Sequence, residues 1–197
     1  MSGHPSEETV EAFALGDLKA GARMAVSLHL RHCTACRQAV GRLEAVGGAL
    51  LEVAAAEPLA SGALQKTLEA LDSPAPRRTS LDAVLERGFW LPMGPGLSLK
   101  LLSQLADPGE RLYMIRAAGG VSLPEHGHNG PERLTVLSGA FDDDTGRHGA
   151  GDLVESWPGQ THTPVACPGE PCVCLAVTDG PLKLTGIARL LQPLLGI

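Results

Sequence analysis

Aromatic residues are scarce, only 3% of a 197-residue chain, which argues against a platform on which successive nucleic-acid bases could stack. Clustered basic charge is missing too. The net charge is −6 and the only short basic cluster is Arg77-Arg78, so the phosphate contacts of a direct nucleic-acid binder have no evident source. Long apolar runs are also absent: AVGGALLEVAAA, residues 45–56, is short and interrupted by Glu52, which excludes a membrane span. The opening MSGHPSEETV has no basic start followed by an apolar stretch, so no secretory signal is expected and a cytoplasmic location is. Five cysteines cannot all pair within the chain, and in a reducing compartment metal binding or redox chemistry is a better default than a disulfide framework. What is present is 44% hydrophobic residues, enough to bury a core, in a length suited to one medium domain or two small ones. The acidic balance suits a basic partner.

Up to residue 72 the pattern is helical. Val10, Phe13 and Ala14 form an i, i+3, i+4 stripe that Gly16-Asp17 ends; Leu18, Met24, Val26, Leu28 and Leu30 mark a second helix. Val40, Leu43, Val46, Leu50 and Leu51 mark a third, weakened in its middle by Gly47-Gly48, and Leu64, Leu68 and Leu71 a fourth after Pro58. Residues 73–80, SPAPRRTS, have the composition of a linker. Beyond it short apolar runs, RLYMIRAA (111–118), LTVLSGAF (134–141) and CVCLAVT (172–178), alternate with Gly, Pro and Asp clusters and predict an all-β sandwich or barrel. The expected fold is therefore α+β in two domains: a helical bundle over 1–72, a linker over 73–80 and a β-domain over 81–197.

Two stretches carry candidate chemistry. In HLRHCTACRQ (29–38), His29, Cys33 and Cys36 stand at i, i+4 and i+7, so a continuous helix would project all three from one face. Three ligands leave a tetrahedral zinc one short. His32 lies about 100° around the helix from Cys33, and the other histidine of the helical half is His4, which is the expected fourth ligand. Two rival readings exist. A CxxC redox pair normally follows a strand in a βαβ unit, and nothing before Cys33 reads as a strand; alternatively the cysteines pack as small apolar residues. An upstream histidine with HxxxCxxC resembles the zinc-binding anti-sigma motif, and ALGDLKAGARMAVSLHLRHCTACRQ is similar to it across the helical half. A metal could supply roughly 10–16 kcal/mol of apparent folding free energy to so small a unit.

The second stretch is GGVSLPEHGHNGPERLTVLSG (119–139). Its pattern, Gly120, His126, His128, Glu132, Gly139, resembles the first cupin motif position for position. A period of two puts His126 and His128 on one strand face, and Glu132 just past a short loop can reach the same metal. The second cupin motif follows with Gly151-Asp152, Gly159 and His162, departing from the usual pattern at Trp157, where proline is common, and at Ala166, where asparagine is. Neither position is a ligand. Three histidines and a carboxylate either close a tetrahedral zinc site or fill four of six positions on iron, manganese or nickel, leaving room for a substrate.

Together the two halves resemble the ChrR family of cytoplasmic zinc anti-sigma factors, as do HTPVA (162–166) and the ending RLLQPLLGI. That resemblance implies a helical domain, with zinc on His4, His29, Cys33 and Cys36, that sequesters an extracytoplasmic-function-type sigma factor. It also implies an antiparallel cupin barrel, with zinc or another divalent metal on His126, His128, Glu132 and His162, needed for release by singlet oxygen or an organic hydroperoxide. The rival is a cupin metalloenzyme, dioxygenase-like or peroxide-processing, fused to a helical zinc domain. Cys172 and Cys174 share a strand face and Cys167 lies in the turn before them; filling of a barrel interior is favoured over oxidant sensing. His32 and His148 are expected at the surface.

Overall fold

A computed structural model describes residues 3–72, 81–86 and 88–185. The linker at 73–80 with its Arg77-Arg78 pair, and the terminal RLLQPLLGI, lie outside the described residues. Helix α1 (Glu7–Leu15) begins where the Ser6 hydroxyl accepts the Thr9 N–H, with Glu7 and Glu8 favourably placed at the positive end of the helix dipole, and it stops at Gly16 as the sequence predicts. Helix α2 (Ala20–His32) has no side-chain cap from Lys19. Its free N–H groups are taken by two acids from the β half: Asp107 accepts Ala20 N at 2.7 Å, and Glu110 accepts Gly21 N at 2.9 Å and Ala22 N at 3.0 Å. Helix α3 (Thr34–Val53) runs unbroken through Gly47-Gly48, so the pair does not interrupt it. Helix α4 (Ala63–Asp72) matches its Leu64/Leu68/Leu71 stripe, and a short α5 (Leu81–Glu86), not anticipated from the sequence, precedes the strands. No helix among the described residues is long and apolar enough to cross a membrane.

Among the described residues twelve antiparallel strands follow: β1 (Leu91–Gly94), β2 (Leu97–Leu101), β3 (Glu110–Ala117), β4 (His126–Gly127), β5 (Glu132–Ser138), β6 (Ala140–Asp143), β7 (Gly146–Gly149), β8 (Leu153–Ser156), β9 (Thr161–His162), β10 (Val165–Ala166), β11 (Cys172–Asp179) and β12 (Lys183–Leu184). They form a six-stranded sheet, β1-β2-β3-β11-β5-β8, and two three-stranded sheets, β10-β6-β7 and β12-β4-β9. The run 134–141, read as one strand from sequence, is split at Gly139 between β5 and β6. Gly139 sits at φ 68°, and a Cβ there would lie 2.7 Å from the Pro171 carbonyl, so only glycine turns the chain so tightly.

The large sheet is covered on both faces, which is why β3 and β11 read as nearly continuous apolar runs. Along β3, Tyr113 and Ala117 point into the barrel while Leu112 and Met114 meet α2; along β11, Cys172, Cys174 and Ala176 point inward while Leu175 and Val177 meet α2. Ala22, Ala25, Val26 and Leu28 of α2 share that outer core, and the Thr135 hydroxyl donates to the Ala25 carbonyl. A polar network holds α1 as well: Glu155 accepts Ser6 N and the Thr9 hydroxyl, and Arg133 pairs with Glu155 at 3.0 Å with side chains 12% and 8% exposed. Against this, the apolar side chains of α3 beyond Val40 and those of α4 stay open, Val46, Leu50, Leu51, Leu64 and Leu71 all being exposed.

Candidate metal centres

The HxxxCxxC segment is not one helix. The chain bends at Cys33 (φ −98°, ψ 106°), which ends α2 and caps α3, its Sγ accepting the Cys36 N–H at 3.4 Å. The ligand face expected of a continuous helix is instead a corner, because a sulfur that caps the new helix offers its N–H groups a partner that a straight run would not need. The corner still gathers the expected residues. His4, His29, Cys33 and Cys36 each present a ligand atom, all within 4.8 Å of one another, and His4 Nδ1 lies 3.4 Å from both sulfurs. Gly3 and His4 precede α1, so the set is drawn from the approach to one helix, the end of a second and the start of a third. His32, exposed, stays outside it as expected.

His29 is 1% exposed. Its Nδ1 lies 2.7 Å from the Gly151 carbonyl oxygen, which can only accept, so Nδ1 carries the proton; Nε2 is buried without a hydrogen-bond partner and keeps its lone pair. Burial lowers the His29 pKa, favouring the neutral imidazole that binds metals. Burial first, then the hydrogen bond and charge of Cys33, push the Cys36 thiol up to about 11. A thiolate there needs a cation, and a divalent metal is the cation that two sulfurs and two imidazoles suit. The residues fit zinc.

The second cluster lies inside the barrel. His126 on β4, His128 just beyond it, Glu132 at the start of β5 and His162 on β9 offer ligand atoms within 4.8 Å of one another. Strand β4 spans only His126–Gly127, so the shared strand face predicted for the two histidines is shortened to a strand and its following residue, yet both rings point inward, 5.2 Å apart between centroids. Register sets the rest, since β4 pairs with β9 so that His126 lies opposite His162.

Each ring is oriented from behind. His126 Nδ1 lies 2.9 Å from the Pro124 carbonyl and His162 Nδ1 lies 3.4 Å from Asp143 Oδ2, so both Nδ1 atoms carry protons and the two Nε2 lone pairs face each other at 3.0 Å. Neither nitrogen of His128 has a hydrogen-bond partner. The Tyr113 hydroxyl donates to Glu132 Oε1 at 3.3 Å, and Oε2 stands 3.8 Å from His128 and 3.9 Å from His162. Burial and then the charges of His126 and His162 lower His128 to about 4, so the Glu132 contact is not an ion pair. Burial also raises Glu132, while His126 and the Tyr113 hydrogen bond oppose the rise. Facing lone pairs and a buried carboxyl fit a divalent cation, a partner that all four donors could share. Beside them lies a cavity of about 110 Å³ walled by apolar side chains such as Met93, Leu99, Ile115, Leu123 and Leu182.

Three groups at these clusters escaped the sequence reading. His148, expected at the surface, is 1% exposed: β7 turns it inward beside Phe141, with Nε2 at 2.8 Å from the Thr145 hydroxyl and 3.2 Å from Asp143 Oδ1. Asp143 thus stands between His148 and His162. The two-residue alternation of FDDD and GRHG around the Asp144-Thr145 turn was the available signal. The sequence pattern marks Gly151 only as a cupin-motif glycine. Cys172 and Cys174 are buried on the barrel side with their sulfurs 3.6 Å apart, in keeping with the space-filling expectation.

A helical unit with a two-histidine, two-cysteine cluster, set against a cupin-type barrel with a three-histidine, one-glutamate cluster, defines a cupin-type protein with two candidate metal centres. Residues 85–183 match the family described as the ChrR cupin-like domain. Over 206 aligned residues, 96% of this chain and 96% of the relative, the chain is 36% identical to anti-sigma-E factor ChrR of Cereibacter sphaeroides. Its fold is similar to a chain in the crystal structure of Rhodobacter sphaeroides SigE in complex with the anti-sigma ChrR, with TM-score 0.77 and 37% identity over 89% of this chain and 98% of that one. The chain belongs to the ChrR family.

Proposed function

We propose that the protein is a cytoplasmic anti-sigma factor whose helical unit, residues 1–72, sequesters an extracytoplasmic-function-type sigma factor, and whose barrel, residues 81–197 beyond a linker at 73–80, governs release. The observation that carries this reading is the similarity to the SigE–ChrR structure, which spans both halves rather than the barrel alone. The open apolar stripe of α3 and α4 supports it, since exposed leucines and valines at helical spacing form the kind of face a partner covers. We assign zinc to His4, His29, Cys33 and Cys36, and zinc or another divalent metal to His126, His128, Glu132 and His162. The first metal, when bound, ties three chain segments together; the second would give the barrel a centre that an oxidant, singlet oxygen or an organic hydroperoxide, can alter.

The apolar cavity beside the second cluster favours one other reading, a cupin metalloenzyme acting on a small apolar substrate. Metal analysis of the purified protein, paired with co-purification against a panel of sigma factors, separates the two. Zinc at both centres with a stably bound sigma subunit supports the regulator. Iron, manganese or nickel with substrate turnover and no bound sigma subunit overturns it.

A further inference from the structure

We propose that the Gly149–Asp152 turn of the barrel is an outer support of the N-terminal cluster and mechanically couples the two centres, so that the state of the barrel cluster sets how tightly the N-terminal metal is held. This rests on the reading that both clusters bind metal. The turn and the residue that follows it meet the N-terminal cluster or its immediate chain neighbours at three points. The Gly151 carbonyl holds the buried His29 ring at 2.7 Å and thereby presents Nε2. Leu153 N donates to the Gly3 carbonyl at 3.1 Å, fixing the residue before His4, and a Cβ on Gly3 would lie 2.7 Å from Asp152 Oδ1. His32, next to Cys33, packs on the same spot: a Cβ on Gly151 would come within 2.8 Å of the His32 Cβ.

The turn has one well-defined shape. Asp152 Oδ2 accepts Gly149 N at 2.8 Å, Gly151 N donates to the Val136 carbonyl at 2.9 Å, and Val136 N donates to the Asp152 carbonyl at 2.9 Å. Gly151 lies at φ 93°, a conformation side chains resist, so the carbonyl that faces His29 is aimed by a glycine. At its other side the turn continues strand β7, whose His148 is buried and tied through Asp143 to His162, a member of the barrel cluster. The path is therefore His162, Asp143, His148, the turn, His29, and every side chain on it is buried or nearly so. A shift of the His162 ring moves the carboxylate shared with His148; a shift of His148 moves the turn that aims at His29. Interiors pack too densely to absorb such a displacement locally.

Outer-shell partners of this kind change metal affinity by about 10- to 100-fold, and coupling between sites is reciprocal. The test uses the full chain, with zinc competed by a coloured chelator and N-terminal occupancy read separately as protection of Cys33 and Cys36 from alkylation. Gly151→Ala should weaken zinc at the N-terminal cluster by about 10-fold or more with the barrel still folded by near-ultraviolet circular dichroism. His126→Ala, which removes a barrel ligand, should weaken N-terminal zinc by about 5-fold or more. Once Gly151→Ala is present, His126→Ala should add nothing further. Asp143→Asn, which leaves every ligand and the turn in place, repeats the test should Gly151→Ala fail to fold, and it should likewise abolish the effect of His126→Ala. Independent, additive effects, or no effect of His126→Ala in the parent protein, overturn the coupling. Unprotected Cys33 and Cys36 in zinc-loaded parent protein would instead overturn the metal reading beneath it.

Discussion

The N-terminal cluster takes its donors from three short segments that have no β-sheet register to hold them, whereas the barrel cluster takes its donors from strands and loops fixed by hydrogen-bonded pairing. In the first, two sulfurs and two imidazoles sit at a corner with His4 exposed and Cys33 half-buried; in the second, His126, His128 and Glu132 are buried within a scaffold that packs on both faces. A site gathered from three segments that no strand pairing joins gives a bound metal leverage over how those segments meet. A site built on register has its donors placed by strand pairing as well as by any ion they share. The first arrangement suits a clasp, and the second suits a sensor or a reaction centre.

That contrast can be broken most severely at the clasp. Cys36→Ser should remove zinc from the N-terminal cluster and abolish co-elution with the sigma subunit, while the barrel metal remains; co-elution at parent levels would show that the clasp is not needed for inhibition. Next comes the seam between the halves. Glu110→Ala strips the caps from Gly21 and Ala22 and should lower unfolding stability by about 2–3 kcal/mol, measured by urea denaturation; a change within experimental error means that α2 is held by its apolar face alone.

At the barrel centre, His126→Ala or Glu132→Ala should leave a folded protein that still holds the sigma subunit but no longer releases it on oxidant treatment. Loss of inhibition in these variants sinks the division of labour. Leu50→Asp, on the open face of α3, should cost less than about 0.5 kcal/mol of stability yet weaken sigma binding by about 10-fold or more, read by titration calorimetry; equal affinity removes α3 from the interface. The smallest effect belongs to the buried pair. A Cys172→Ser, Cys174→Ser protein should lose about 1 kcal/mol of stability and release its partner normally under oxidant, unless the sulfurs are themselves the reactive groups.

Much of both clusters was legible because ligand type and spacing are local properties. HxxxCxxC needs only a few residues of chain, and His126, His128 and Glu132 fall within one short motif, so their convergence requires little beyond a turn or a strand. His4 could be named because few other donors were at hand in the helical half. The break at Cys33 was not legible, since residues 29–38 read as a helix and the capping role of a cysteine sulfur has no strong sequence signal. His148 was misplaced because a histidine in a glycine-bounded strand reads as exposed unless its partner is known, and Asp143 faces it only through the β6–β7 pairing. The two acids that cap α2 lie far along the chain, with Glu110 88 residues beyond Ala22, and no local pattern links them.

Sequence by itself determined the donor atoms, the helical and β halves and the turns forced by glycine, because side-chain chemistry and backbone propensity act over a few residues. Tertiary structure alone decided that α2 lies on the outer face of the large sheet, that Gly151 presents its carbonyl to His29, and that Asp143 stands between His148 and His162. Those contacts join segments from about twenty to more than a hundred residues apart, or opposite strands of a hairpin, and they exist only once burial of apolar surface has brought the segments together.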